Sequence, residues 1–205
     1  MTILRRLAPK FLYILVAFCS LGLQASDISQ QAKDKVREVY PKFLKIVEQG
    51  ADEKDMTKFF ENNFDTAAIS KRFCGVMDSR LVNSIVRFLL WRLRTEAIQT
   101  VKSYKLSDNI TAIEKANSVH VKCSLIGSND TVEMTAVFTK NQEALGKIKE
   151  IVVLSIPLIE GVSAILRSYF ENNGIKINQI KEPKERARKC VEAIDDFLTK
   201  NKNGR

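Results

Sequence analysis

Hydrophobic side chains recur every three or four positions along residues 29–104, which is the spacing of helices with one buried face. Breaks in this spacing predict four helices, over 29–49, 52–61, 66–74 and 78–104. The third has the clearest ends, because Asp65 is a good N-cap residue and Gly75 suits the position just after a helix. The first half of the chain is therefore predicted to be helical.

The fourth predicted helix carries two adjacent rows of apolar residues. Together the rows cover more of the helix surface than the roughly 100° expected when a helix buries one face. We therefore expect this helix to lie between two other layers of the protein. The main row is Val82, Val86, Leu89, Leu93, Ala97, Val101 and Tyr104, and the second is Leu81, Ile85, Phe88 and Trp91.

Beyond the predicted helices the apolar pattern changes to a period of two, which is typical of strands with one buried face. Ser118–Ile126 and Thr131–Thr139 both alternate in this way, and Gly127–Asp130 between them has the composition of a turn. A weaker strand over 108–115 precedes this hairpin, and Ile148–Ile156 follows it. The sequence predicts an antiparallel meander of three or four strands.

The last predicted strand meets the next helix at Glu160-Gly161-Val162-Ser163. We expect Gly161 to turn the chain sharply, since glycine adopts backbone angles closed to other residues, and Ser163 to cap the new helix. A terminal helix over Pro183–Lys200 follows, with proline at its first position. This order predicts a single α+β domain over 26–205, with helices on one face of the sheet. Its segments are the helical part 26–104, the sheet 105–157 and the C-terminal helices 158–200.

The first 25 residues differ from the rest of the chain. Arg5, Arg6 and Lys10 precede an uncharged apolar stretch, Phe11–Leu23, and Ala25 offers a small residue at a cleavage site. This is the pattern of a secretory signal peptide, and the apolar stretch is shorter than the roughly 17–25 residues of a transmembrane helix. We expect export and cleavage after Ala25, with an uncleaved membrane anchor as the alternative.

The charge balance of the chain is only moderately basic. Its net charge of +9 falls by three, to +6, without the cations of the N-terminal segment. The remaining basic residues are scattered among acidic ones, and even the dense run Lys181–Lys189 contains Glu182 and Glu185. This argues against nucleic-acid binding, which needs a concentrated basic patch. The moderate positive charge is compatible with weak attraction to an anionic lipid surface.

Reactive side chains are few. Cys74, Cys123 and Cys190 lie beyond the N-terminal segment without CxxC spacing, and they predict either one disulfide with a free thiol or three buried thiols. His120 is the single histidine, and strand alternation directs it to the face opposite Cys123. The two are therefore not expected to form a metal site or a catalytic pair. No phosphate-binding loop or nucleophile elbow occurs, so we expect no enzymatic activity, no metal and no cofactor.

Two short stretches resemble a known family. "FDTAAISKRFCG", residues 64–75, is similar to the Phe-Asp-x-x-x-[Ile/Met]-x-[Arg/Lys]-x-x-Leu-Gly segment of the toluene-tolerance family, with Cys74 in place of leucine. "IEGVS", residues 159–163, resembles the strand-to-helix junction of that family, and the long helix ending in "VKSY" lies between the two stretches, as it does there. The family comprises the periplasmic phospholipid-binding component of the Mla-type transport system.

The resemblance implies a periplasmic carrier that binds a phospholipid by its acyl tails, in a lipid transport system that maintains outer-membrane lipid asymmetry. The implied partners are an inner-membrane ABC transporter with a lipid-shuttling ring and an outer-membrane lipoprotein complex. The tails are expected in an apolar cleft between sheet and helices, and Gly161, Ser163 and Arg167 at its mouth, with Arg167 able to meet a phosphate. The residues expected to line the cleft are Phe60, Phe64, Ile69, Phe73, Val86, Leu89, Leu93, Val121, Cys123, Met134, Phe138, Val152 and Leu154.

Two other interpretations fit the same apolar pattern. Cores and apolar pockets use the same residue types, so the first is a structural or interaction protein of the cell envelope with a filled core. The second is an enzyme on a similar cone-shaped α+β scaffold, which would need a buried Asp, Tyr or His in the cleft.

Overall fold

The computed structural model describes residues 28–50, 52–78, 80–92, 102–141 and 144–201. The predicted signal peptide, its cleavage site, Leu93 and the continuation of the fourth helix over 93–101 lie outside the described residues. The helices of the described part are α1 over 28–48, α2 Glu53–Asn63, α3 Thr66–Cys74, α4 Arg80–Arg92, α5 Leu158–Asn172 and α6 Pro183–Lys200, with a 3-10 turn at Ile177–Gln179. None of these described helices is long and apolar enough to cross a membrane.

The strands form one antiparallel sheet. They are β1 Lys105–Leu106, β2 Thr111–Lys115, β3 Ser118–Ile126, β4 Thr131–Asn141, β5 Ala144–Val153 and β6 Ile156–Pro157. β3, β4, β5 and β6 neighbour one another in that order, while the short β1 and β2 both pair with the other edge of β3. The predicted α+β class is confirmed. The predicted weak strand over 108–115 is β2, and the short β1 and β6 give the sheet more strands than the three or four expected.

The central hairpin buries one face, as its alternation predicts. On β3, Val119, Val121 and Cys123 are at most 5% exposed. Their cross-strand partners on β4 are also buried, namely Phe138, Ala136 and Met134 respectively. These side chains belong to the same apolar cluster as the buried faces of the helices.

The ends of α3 are those that the sequence predicts. Asp65 Oδ1 accepts a hydrogen bond from the Ala68 N–H at 3.0 Å, which is the N-cap interaction. At the other end Gly75 has a φ of 71°, a left-handed conformation that favours glycine, and its N–H donates to the Lys71 carbonyl at 2.8 Å. The short motif therefore folds as a helix with both ends fixed by its own residues.

The predicted turn at Gly161 is wrong. α5 begins at Leu158, directly after β6, so Gly161 lies within the helix and Ser163 is too far along to cap its start. The chain reverses earlier, where Leu154 and Ser155, with positive φ values of 49° and 67°, join β5 to β6. The prediction failed because the apolar run from residue 151 to 156 has the composition of one strand, although it folds back as a hairpin.

The alternation of inward-facing and outward-facing side chains is interrupted within β5. Phe138 of β4 pairs with Ile148, but the adjacent Val137 pairs with Glu150, so the intervening residue of β5 is a bulge. A shift of one residue exchanges the two faces of a strand, and beyond the bulge Ile151 and Val153 pack against the core. The predicted facing of the end of this strand is therefore wrong. The two affected residues lie outside the core cluster: Val152 pairs with Thr135, and Leu154 is 61% exposed in the turn.

A disulfide joins Cys74, the last residue of α3, to Cys190 in α6. The two Cα atoms are 6.3 Å apart, within the usual range for a disulfide, and both residues are buried. Cys123 is a free, buried thiol on β3. Of the two arrangements that the sequence left open, the structure contains one disulfide and a buried thiol.

Candidate functional site

The sheet and the helices enclose an apolar layer that contains most of the residues predicted to bind lipid. It is formed by the buried face of the β3–β4 hairpin and by inward-facing side chains of all six described helices, α1 to α6. Phe60 and Leu89 lie at its edge, partly buried against the same cluster. Its buried members from the predicted set, none more than 9% exposed, are Phe64, Ile69, Phe73, Val86, Val121, Cys123, Met134 and Phe138. The predicted residues thus form one contiguous layer, apart from Val152, Leu154 and the undescribed Leu93.

Aromatic rings crowd the end of this layer where α1 and α2 meet β5. Phe60 stacks on Phe64 with ring centroids 4.5 Å apart, and Phe59 lies about 6 Å from both. Phe43 of α1 packs on Phe59 at 5.8 Å. Phe64 also forms a bridge with Ile148 of β5. These aromatic rings are therefore a packed part of the apolar layer.

The apolar layer is closed in this structure. Val119 and Val121 of the sheet and Leu81 and Phe88 of α4 have 0% of their surface exposed. Protein interiors are packed as densely as organic crystals, so a filled layer does not also hold an acyl chain. An acyl chain can occupy it only when the helices and the sheet move apart.

The thiol of Cys123 faces this layer. Burial raises its pKa to about 11, and its S–H donates to the Met134 carbonyl at 3.7 Å. The thiol is therefore uncharged at neutral pH, which suits an apolar environment and makes it a poor nucleophile.

We expect Cys123 in the folded protein to react with Ellman's reagent at pH 8 at least about 100-fold more slowly than an exposed cysteine, because so little thiolate is present. The measurement uses a Cys19→Ser variant, which removes the cysteine of the N-terminal segment. One thiol per chain should react rapidly in denaturant. Equally rapid reaction without denaturant would contradict the closed layer.

A basic cleft lies between α3 and α5, with a volume of about 470 Å³. Its wall carries Lys71 and Arg72 of α3, Arg167 of α5 and Lys176 of the following segment. Glu171 is the acidic residue among those that line it. The floor is apolar and consists of core residues at most 6% exposed: Phe73, Phe170 and Ile177. The cleft therefore joins a cationic wall to the apolar interior.

The ends of two helices shape the basic cleft. α3 ends at Cys74, just before Gly75, and the chain leaves α5 through Gly174, whose φ is 69°. Sequence reasoning identified Arg167 but missed the other cations, because they come from separate segments that meet only in the fold. The adjacent Lys71 and Arg72, at the end of a helix with clear caps, were the one local hint.

The residues predicted at the mouth of a lipid cleft lie in different places. Arg167 lines the basic cleft, and its Nη2 donates to Ser163 Oγ at 2.9 Å. Ser163 is fully buried and donates in turn to the Glu160 carbonyl at 2.8 Å, so it orients the arginine. Gly161 is exposed outside the cleft, and a Cβ at this position would contact nothing within 4 Å.

Glu150 connects α3, β5 and α5 beside the basic cleft. Its side chain is 8% exposed and forms an ion pair with Arg72. Its Oε1 accepts hydrogen bonds from the N–H groups of Ile151 and Ile159, each at 2.9 Å. The carboxylate therefore compensates Arg72 and satisfies a backbone donor in the first turn of α5.

Little other chemistry is present in the described part of the chain. His120 is partly buried on β3, with Nε2 3.2 Å from Ser118 Oγ. Burial and three neighbouring lysines lower its pKa, which favours the neutral ring. No group of three His, Cys, Asp or Glu side chains among the described residues could hold a metal ion.

The fold is similar to that of a phospholipid-binding protein from Ralstonia solanacearum, whose structure was determined in complex with a phospholipid. The two chains share 14% sequence identity with a TM-score of 0.54, over 82% of this chain and 97% of the other. No protein-family model and no curated protein matches the chain. At this level of identity the likeness establishes the fold, and the chain therefore shares its architecture with a protein that holds a phospholipid.

Proposed function

We propose that this protein is a phospholipid carrier that holds the acyl tails of one lipid in the apolar layer between sheet and helices. One observation carries the proposal: a protein that was determined with a bound phospholipid has, over nearly its whole length, a fold similar to that of this chain. The apolar layer supports it, since most of the residues expected to line a lipid cleft lie together there.

The physical need for such a carrier is large. A diacyl phospholipid has on the order of 30 methylenes, each of which gains roughly 0.8 kcal/mol on leaving water. Unassisted transfer through an aqueous compartment therefore faces a barrier of about 20 kcal/mol. A protein that replaces the membrane around the tails lowers this barrier without any catalytic residue.

Loading requires the closed layer to open, and the polar links of the fold favour one way of opening. Four polar links between described helices and the sheet converge on β5. Asp65 N–H donates to the Ile148 carbonyl at 2.8 Å, and Lys147 Nζ donates to the Glu61 carbonyl. Glu150 pairs with Arg72 and accepts a hydrogen bond from the Ile159 N–H at 2.9 Å. The buried faces of β3 and β4 meet the helices through apolar side chains, which need no specific partner. We propose that β5 acts as the hinge and that the tails enter beside β3 and β4.

The proposed compartment is the periplasm, reached with the N-terminal segment as a signal peptide. The disulfide between Cys74 and Cys190 supports this, because disulfides persist in oxidising compartments. The proposed partners are an inner-membrane ABC transporter with a lipid-shuttling ring and an outer-membrane lipoprotein complex. The role requires neither enzymatic activity nor a cofactor.

The test is to express the full chain in a Gram-negative host, purify the exported protein and record its native mass spectrum. We expect a mass excess equal to one diacyl phospholipid, recovered intact after extraction. A protein that is purified without lipid and stays so after incubation with phospholipid vesicles would contradict the proposal. The closed apolar layer would then favour a structural role with a filled core, and recovery of a lysophospholipid would instead indicate an enzyme.

A lipid with a photoreactive group on one acyl chain tests where the tails lie. We expect labelling of peptides from β3, β4 and α4, whose buried side chains form the layer. The exposed apolar residues Met77, Ile113 and Ile156 are the internal control, since they lie outside β3, β4 and α4 and lipid adsorbed on the outside would label them instead.

A further inference from the structure

We infer that the basic cleft between α3 and α5 binds a phosphate ester, and that it selects lipid head groups with a net negative charge. The selection of lipids rests on the proposed carrier function, whereas phosphate binding by the cleft does not. The residues that carry the inference are Lys71, Arg167 and Lys176.

The cleft has cationic charge that the fold does not compensate. Arg72 is paired with Glu150, and Arg167 donates to the uncharged hydroxyl of Ser163. Lys71 and Lys176 form no ion pair with any described residue. Three uncompensated cations and one carboxylate, that of Glu171, therefore line the cleft. Because the cleft is concave, the electric fields of the like charges reinforce one another inside it.

A favourable interaction with the helix dipole accounts for only some of the basic residues in the cleft. Lys71 and Arg72 lie in the last turn of α3, where cations interact favourably with the helix dipole. Arg167 lies inside α5 and Lys176 lies beyond its end, so neither occupies the last turn of a helix. Their convergence with Lys71 on one cleft is unexplained by helix capping and is what an anionic ligand requires.

The floor indicates that the ligand is an amphiphile. Phe73 and Phe170 belong to the core cluster that also contains most of the predicted lipid-binding residues. A phosphate at the wall would thus lie beside apolar surface continuous with the layer proposed for the tails. Asn178 and Gln179 also line the cleft and offer amide groups to the hydroxyls of a polar head group.

The charge of the cleft predicts which head group it prefers. A phosphatidylglycerol head group presents a phosphate without a compensating cation. Phosphatidylethanolamine adds an ammonium that the uncompensated lysines repel, and the repulsion is sensitive to salt. We expect the full chain to load phosphatidylglycerol over phosphatidylethanolamine by about five- to tenfold at low salt.

The experiment presents the protein with vesicles that contain equal amounts of the two lipids with identical acyl chains, and the bound lipid is quantified by mass spectrometry. Lys71→Ser combined with Lys176→Ser should reduce the ratio of bound lipids to about one. The matched control is Lys54→Ser with Lys58→Ser, which removes the same charge from exposed positions of α2 outside the cleft and should keep the preference.

A second measurement separates a lipid head group from a free phosphate ester. Glycerol phosphate is titrated into the protein and binding is followed by calorimetry. Saturable binding that is lost in the Lys71/Lys176 variant, without any lipid preference, would assign the cleft to a free phosphate ester. Absence of both the preference and this binding would overturn the inference. Failure to load any lipid, with glycerol phosphate binding intact, would refute the carrier function but not the anion site.

Discussion

Replacing Cys74 and Cys190 together by alanine should lower the free energy of unfolding by about 4 kcal/mol. The disulfide closes a loop with a sequence separation of 116 residues, and a cross-link across about 100 residues removes roughly 4.7 kcal/mol of chain entropy from the unfolded state. The expected value is slightly smaller, because real unfolded chains retain some structure. Urea denaturation of the oxidised wild type and of the double variant, followed by circular dichroism, measures the difference.

The control for this experiment is Cys123→Ala, which removes a buried thiol without affecting the cross-link. It should cost about 1 kcal/mol, since only a small side chain is lost. Equal denaturation midpoints for the wild type and the double variant would show that the disulfide contributes nothing to stability. A larger loss for Cys123→Ala than for the double variant would reverse the expected order.

Glu150→Ala should destabilise the protein by about 3 kcal/mol. The substitution leaves the N–H groups of Ile151 and Ile159 without their acceptor, and an unsatisfied buried donor costs roughly 1–3 kcal/mol. Arg72 also loses its partner, but its side chain is 38% exposed and can turn to water, so the cost stays below the upper end for a buried pair. Thermal and urea denaturation measure the loss.

Two further variants test the reason for this effect. Glu150→Gln keeps an oxygen acceptor and should cost less than Glu150→Ala. Glu192→Ala, which removes one of the two acidic partners of Arg188 on the exposed surface of α6, should change stability by less than about 0.5 kcal/mol. If Glu150→Ala were as mild as Glu192→Ala, the carboxylate would not be the link between α3, β5 and α5 that its contacts indicate.

Local sequence patterns predicted the elements whose ends are set by their own residues. α3 is the clearest case, because Asp65 and Gly75 fix its limits through contacts within a few positions. The β3–β4 hairpin is similar, since strict alternation along both strands defines one buried face. The order of helices, sheet and helices followed from these patterns, and so did most of the apolar layer.

The failures arose where one residue changes the geometry of its neighbours. The bulge between Ile148 and Glu150 has no mark in the composition of β5, yet it exchanges the faces of every residue after it and places Val152 outside the core. Leu154 and Ser155 adopt positive φ although neither is glycine or asparagine, so no residue type indicated the turn that they form. Gly161, which did look like a turn residue, is helical because the reversal has already occurred.

The candidate site was also predicted only in part, and the reason differs from that for the strands and turns. An apolar residue on the inward face of a helix or strand lines either a packed core or a lipid cleft. The apolar pattern along the chain therefore predicted most members of the apolar layer. The basic cleft combines side chains from the end of α3, the middle of α5 and the segment after it. Such a convergence depends on the tertiary fold, and no spacing along the chain encodes it.

The position of Cys123 has a consequence for the order in which the cysteines pair. A chain emerging from its N-terminus exposes Cys74 and Cys123 before Cys190, so the first pair able to oxidise is not the pair joined in the native protein. Folding of the β3–β4 hairpin against the helices removes Cys123 from solvent and raises its thiol pKa, which withdraws it from exchange. Burial of this one thiol thereby leaves Cys190 as the partner of Cys74. Correct pairing then depends on the sheet folding before Cys74 and Cys123 can oxidise.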